Sequence, residues 1–328
     1  LMLRDFENLE CLFTSDEEIG MIGANNIELK VQSPFMINCD SEDIQEIIFS
    51  CAGGYDLQAS KSFKSLKIPK DFTIHEIRTK NFIGGHSGIE IHKHIPNAIL
   101  ELAKIAKRLE GIILSFIGGE KRNSIPTHAT LKIALPPQSQ SFLQSIDSNF
   151  FDILRLNNAA DFQEGYQCEI LIDTLLGLSN GVLKGDTSPI LSSNLGILRQ
   201  KDNAFTLVVM GRGNQEKLMQ DNLQSQKKFL EKSGFDTQVL DYYAPWEKEE
   251  SDLLFKVRDI YQKNNPNTLL KSIHAGLECG ILKQKYPNIQ FVSIGPTILH
   301  PHSLQESLDI QSFKTFWHLL NQILLSYA

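Results

Sequence analysis

The chain has 328 residues, 41% of them hydrophobic, which is enough to bury a sizeable core and is a length that suits about two domains. A formal net charge of -7 without any Lys/Arg-rich block speaks against a nucleic-acid partner, and no run approaches the ~18 to 20 apolar residues of a membrane span. The five cysteines (Cys11, Cys39, Cys51, Cys168, Cys279) are scattered and lack CxxC spacing, so no disulfide framework or cysteine zinc knuckle is expected, and a reducing, cytoplasmic setting is.

Residues 9–13 (LECLF) and 35–39 (FMINC) are apolar runs of strand length, and the intervening EIGMIGANNIEL has helical apolar spacing at Ile19, Ile22 and Ile27. Strand, helix, strand predicts a parallel sheet in an α/β layer. The first residues, LMLRDFENLE, form neither a signal nor a transit peptide and lead at once into a core-type strand, so they read as a beginning cut away. Near residue 71 the texture changes: FTIHEIRTKNFIGG alternates like an edge strand. PNAILELAKIAKRLEG (96–111) then predicts a helix opened by Pro96 and ended by Gly111, with Ile99, Leu102 and Ile105 on one face. Two later segments, from Ala129 and from Phe205, share a layout of alternating strand, polar turn and long amphipathic helix. YYAPWEKEESDLL marks a boundary, after which a helix over 251–263, KSIHAGLECGIL, the strand IQFVSIG and the helix SFKTFWHLLNQILLSY return to α/β texture. The expected organisation is a main domain in two pieces, 1–74 and 246–328, with an α+β domain inserted over 75–245.

Several polar clusters admit two readings each. In Asp16-Glu17-Glu18, Ser15 and Glu18 meet the capping-box pattern and the acids suit a helix dipole; the same carboxylates suit the acid/base and metal half of a hydrolytic site. Asp40 ends an apolar run at the carboxyl edge of a predicted strand, where open α/β sheets bind ligands, and serves equally as a turn acid. His86 lies in the glycine-rich GGHSG, where an incidental loop histidine is the plain alternative, and His92 and His94 read as surface residues. His300 and His302 flank Pro301 in a loop after a buried-type strand, and His274 precedes a small-residue turn. Neutral imidazole at such a strand end is a common metal ligand.

Taken together, TSDEEIGMIGA, INCDSED with CAGGYD, GGHSGIEIH, RNSIP, SSNLG, HAGLECG and VSIGPTILHPHS stand in the order and approximate spacing of the bacterial aminoacyl-histidine dipeptidases. The chain therefore resembles that family, part of a clan of dinuclear zinc exopeptidases that also holds carnosinases and aminoacylases, from residue 8 to its end. The resemblance implies a zinc-exopeptidase-like three-layer α/β/α domain, N-terminally truncated, with an inserted α+β lid domain that also mediates a homodimer. It implies hydrolysis of Xaa-His and related unblocked dipeptides, a short peptide as partner rather than nucleic acid or membrane, and two Zn2+ per subunit in the complete enzyme. Carried over residue by residue, Glu17 matches the general base, and Glu18, Asp40 and His302 match zinc ligands. His302 takes that role rather than His300, where relatives have no histidine. His86 matches the histidine that stabilises the tetrahedral intermediate, Asn194 and Arg212 match lid residues that hold substrate, and His274 matches a position lining the substrate pocket.

The family pattern also contains a His-x-Asp motif and a later bridging aspartate. No H-x-D triplet occurs in the chain, so the expectation is that the first part of the complete enzyme is absent, leaving ligands for one zinc or none. Three functions remain open at this point: a zinc dipeptidase, a non-catalytic remnant that dimerises or binds peptide, and a sister activity such as an aminoacylase or a tripeptidase.

Overall fold

The computed structural model describes residues 6, 8–17, 20–157, 162–301 and 304–327. They belong to two compact units, the first of Leu1–Gly53, Asn214–Glu216 and Tyr243–Ala328, the second of Gly54–Gly213 and Lys217–Tyr242.

In the first unit a four-stranded sheet runs in the order Phe35–Asn38, Gln290–Ser293, Glu46–Cys51, Leu269–Ile273. The outer pairs are parallel, from Phe35↔Gln290 to Asn38↔Ser293 and from Leu269↔Glu46 to Ile273↔Cys51. Strand alternation sorts the side chains into two cores. Ile47 and Val292 point one way, into Leu253, Leu254 and Val257 of the helix Asp252–Asn264 and Phe316 and Leu319 of the helix Ile310–Leu325. Ile48 and Phe291 point the other way, into Cys279, Ile281 and Leu282 of the helix Glu278–Lys285 and Ala24 of Ile22–Asn26. Two cores on opposite faces of one sheet make the three-layer α/β/α arrangement that was expected. The long helices start where a side chain satisfies their first amides: Ser251 Oγ accepts from Leu254 N at 3.2 Å, and Asp309 Oδ1 from Gln311 N and Ser312 N at 2.8 and 3.0 Å.

Two expectations fail here. LECLF forms no strand, and the predicted helix shrinks to Ile22–Asn26, because Gly20 (φ 110°) and Met21 (φ 54°) both take left-handed backbone just before it.

The second unit is built on an 11-stranded sheet whose main path runs Phe151–Leu156, Thr73–Thr79, Ala129–Leu135, Ile112–Gly118, Leu191–Lys201, Ala204–Gly213, Gly53–Ser62, Asp236–Tyr243. The helices Ala98–Leu109, Glu169–Gly177 and Glu216–Lys232 send Leu102, Leu109, Leu171, Leu175, Leu223 and Leu230 into one core with Tyr55, Leu57, Leu131, Phe205 and Val209 of the sheet. Three readings are corrected. Thr73–Thr79 is flanked on both sides and the edge strand is Phe151–Leu156, paired with it from Phe151↔Thr79 to Leu156↔Ile74. The helix after Ala129–Leu135 stops at Gln140–Gln144, because Asp147 closes a turn with its Oδ1 accepting from Asn149 N at 2.9 Å; only Ala204–Gly213 leads into a long helix, so the two segments are not copies. The helix expected from Pro96 is capped one residue later, by Asn97 Oδ1 accepting from Ile99 N and Leu100 N.

The first passage between units falls at Gly53/Gly54 rather than at 74, because Gly53–Ser62 lies between Ala204–Gly213 and Asp236–Tyr243 in the larger sheet. The return falls at Tyr242/Tyr243 rather than 245, and Asn214–Glu216 belongs to the first unit.

Candidate active site

In the first unit, the helix after the acidic triplet begins at Ile22, with Met21 as its N-cap. Main-chain bonds tie the described residues on either side: Glu17 O accepts from Gly20 N and Met21 N at 3.2 and 2.9 Å, and Ser15 O from Gly23 N at 2.9 Å. The N-cap residue Met21 offers no side-chain cap, and the capping pair expected of Ser15 and Glu18 falls on Glu18, outside the described residues. Glu17 is half-buried in this turn; Glu18 lies outside the described residues.

Asp40 sits two residues beyond Phe35–Asn38, exposed at the carboxyl edge of that strand, its amide donating to Asn38 Oδ1 at 3.2 Å. The chain there is fixed from below, because Ser293 Oγ donates to Asn38 Oδ1 at 2.6 Å and lies 2.8 Å from Ser41 Oγ. The segment 274–280 joins this region. A Cβ on Gly276 would stand 2.9 Å from the Tyr243 ring and 3.2 Å from Met21 Cε, which places the segment against the Glu17 turn. Burial pushes the Cys279 thiol well above its ordinary range, with the Cys51, Glu278 and Asp40 charges adding to that shift. The stretches that carry Glu17 and His274 thus lie against each other.

His274 is buried, and its Nδ1 lies 2.6 Å from Asn214 Oδ1. Asn214 donates through Nδ2 to Ile273 O at 2.9 Å and Ser272 Oγ at 3.0 Å, so its Oδ1 is the acceptor and His274 carries a proton on Nδ1. In the neutral ring Nε2 is then the unprotonated nitrogen. Asn214 was not singled out from sequence: an asparagine in a polar turn gives no signal of a partner 60 residues away. Asn214→Ala leaves a buried Nδ1–H without this acceptor and is expected to lower stability by about 1–3 kcal/mol, read from the urea midpoint.

His300 and the strands Ile298–Leu299 and Ser307–Leu308 form a hairpin, with His300 at φ 55°; His302 lies outside the described residues. Among the described residues no three His, Cys, Asp or Glu side chains group as a metal site. Of the three expected ligands only Asp40 is therefore described, and a carboxylate at a fixed strand end is a suitable donor for zinc.

In the second unit the two faces of the sheet carry different side chains. A Cβ on Gly211 would run into the Tyr55 ring, which lies beneath the helices with its hydroxyl accepting from Asn222 Nδ2 at 2.7 Å. Met210 and Arg212, neighbours of Gly211, therefore point to the opposite face. Their cross-strand partners Asn194 and Ser192 share that face. Asn194 is buried and donates through Nδ2 to Ser124 O at 2.8 Å, and Ser87 Oγ donates to Met210 Sδ at 3.7 Å. Arg212 is 4% exposed.

His86 stands beside this face on the short strand Gly85–His86, paired with Ser124–Ile125. Its Nδ1 accepts from Gly88 N at 3.1 Å and Ile89 N at 3.0 Å, and its own amide donates to Glu90 Oε2 at 2.9 Å. Two amide donors on Nδ1 fix the neutral tautomer with its proton on Nε2, so His86 offers a hydrogen-bond donor whose direction is set by the backbone. Within this unit His86, Asn194 and Arg212 fall in one region.

Residues 77–161 match the family model described as a peptidase dimerisation domain. Over 347 aligned positions the chain is 32% identical to the cytosol non-specific dipeptidase of Escherichia coli (strain K12), with 96% of this chain and 71% of that protein covered. The crystal structure of the aminoacylhistidine dipeptidase from Vibrio alginolyticus superposes with a TM-score of 0.81 at 29% identity, over 95% of this chain and 69% of that one. An aminopeptidase from Bacillus cereus, at a TM-score of 0.53 and 11% identity, covers 94% of this chain and 61% of its own and shares the fold alone.

Proposed function

The chain belongs to the M20 peptidase family, and from that premise we propose that it is a zinc-dependent dipeptidase acting on unblocked dipeptides, Xaa-His among them. The observation that carries this reading is the turn at Glu17, which stands against the segment of His274.

Glu18, Asp40 and His302 are the residues we assign to the metal, with Glu18 and His302 outside the described residues. Zinc held there supplies Lewis acidity toward the scissile carbonyl and eases deprotonation of water. The remaining steps belong to side chains of the protein. Glu17 takes a proton from the attacking water as its oxygen bonds to the carbonyl carbon, and returns it to the leaving amine as the C–N bond breaks. His86, through Nε2–H, donates to the carbonyl oxygen as negative charge develops on it. Arg212 pairs in forked geometry with the free carboxylate of the dipeptide, and Asn194 holds the peptide beside it. His274 is assigned to substrate binding. A requirement for the free carboxylate favours dipeptides over longer chains.

The dimerisation domain over 77–161 supports a homodimer formed through the second unit. Among the described residues no helix is long and apolar enough to cross a membrane, and we assign the protein to the cytoplasm from its scattered thiols. The test combines metal analysis of the purified chain with a panel of dipeptides, N-acyl amino acids and tripeptides. About two zinc per protomer with turnover of Xaa-His bears out the proposal. One zinc or none without turnover of any dipeptide overturns it in favour of a binding remnant, and turnover of N-acyl amino acids or tripeptides alone points to a sister activity.

A further inference from the structure

Asp56 has no part in the chemistry above and is the least well satisfied carboxylate in the second unit's sheet. It is 4% exposed, its Oδ2 is paired with Arg122 Nη1 at 2.5 Å, and its Oδ1 is buried without a hydrogen-bond partner. Burial raises its carboxyl above the usual range, while Arg122 and, more weakly, Arg212 draw it back down and the exposed Asp241 adds to the rise. A half-satisfied buried carboxylate costs stability, so packing does not explain it.

Its placement does. Asp56 follows Tyr55 in the strand Gly53–Ser62, and with Tyr55 beneath the helices Asp56 points to the other face, the one that carries Asn194, Met210 and Arg212. Gly53–Ser62 lies next to Ala204–Gly213 in the sheet. Arg122 reaches Asp56 from residues just before Ser124, whose carbonyl holds Asn194 and whose strand pairs with His86. Arg122 therefore pairs directly with this buried carboxylate, whose charge also acts on Arg212 from the same face of the neighbouring strand; Asp241 stands in solvent, where its field is screened.

We propose that Asp56 is a specificity-determining residue whose negative charge on the Arg212 face disfavours a second carboxylate, so that dipeptides with a neutral or basic C-terminal side chain are accepted and those with an acidic one are disfavoured. This rests on the dipeptidase reading, in which Arg212 takes the peptide's terminal carboxylate. Without Asp56, a second carboxylate on the C-terminal residue meets an additional uncompensated positive charge.

The test compares two near-isosteric peptides, Ala-Gln and Ala-Glu, by calorimetric dissociation constants with the full chain in a Glu17→Ala background, where the peptide is not consumed. Asp56→Asn is expected to shift the Ala-Gln/Ala-Glu preference by roughly tenfold toward Ala-Glu, an effect that shrinks as salt is raised. Arg122→Gln, at a half-exposed side chain and usable should the buried variant fail to fold, is expected to shift the preference the other way. A merely structural role weakens both peptides alike: a ratio that stays within about twofold of the parent in both variants overturns the proposal. The Ala-Gln C-terminal amide separates this from the underlying reading. A parent chain that binds neither peptide, or binds acid and amide equally, overturns the carboxylate assignment to Arg212 and the Asp56 role with it. A parent that prefers the acid, with variants that keep its Gln/Glu ratio, sinks the role of Asp56 alone.

Discussion

Glu17→Ala is expected to lower kcat for dipeptide hydrolysis by about 10²–10⁴-fold, the range that a positioned general base contributes, while zinc content stays unchanged. Main-chain turn bonds tie Ser15, Asp16 and Glu17 to the described residues 20–23. The turn bonds at Glu17 are made by its main-chain carbonyl, so they survive the loss of its side chain. Glu18→Ala is the contrasting variant, in which zinc content itself should fall. Turnover of Glu17→Ala at the parent rate, with zinc confirmed by elemental analysis, would end the assignment of Glu17 as base.

His86→Asn should lower kcat by about 10²–10³-fold with KM little altered, as when one donor to a developing oxyanion is removed. Asparagine is chosen because its side-chain oxygen can still accept from Gly88 N and Ile89 N, the two amides that His86 Nδ1 serves. The turn keeps its shape while the distal Nε2–H is lost. His86→Ala removes both, so it should lose kcat and also loosen the loop, visible as faster proteolysis between 84 and 94. If the asparagine variant retains kcat, the histidine acts only as a brace for its loop.

Sequence patterns located much of this molecule where the determinants are local. The helices Asp252–Asn264 and Ile310–Leu325 were legible because their apolar faces and the capping residues beside them lie within a few residues of one another. Sheet order was not, because pairing depends on distant partners: Thr73–Thr79 alternates like an edge strand yet has neighbours on both sides, the outer one supplied by residues 151–156. The strand Phe151–Leu156 was itself misread as the end of a helix, since a single Asp147 turn separates the two outcomes. Of the candidate residues, Glu17, Asp40, His86, Asn194, Arg212 and His274 were named through motifs, whereas Asn214 and Asp56 carry no local mark. Asn214 matters only because His274 folds onto it, and Asp56 only because burial leaves it paired with Arg122.

The alternation along Gly53–Ser62 and Ala204–Gly213 has a consequence for how this protein can change over time. Tyr55 and Gly211 are committed to the hydrocarbon side, while Asp56, Met210 and Arg212 look away from it. Odd and even positions of the same two strands thus answer to different selective demands. Under the proposed function, drift at one set acts on folding and at the other on which small molecules are welcomed, so the scaffold could explore new diets without being rebuilt.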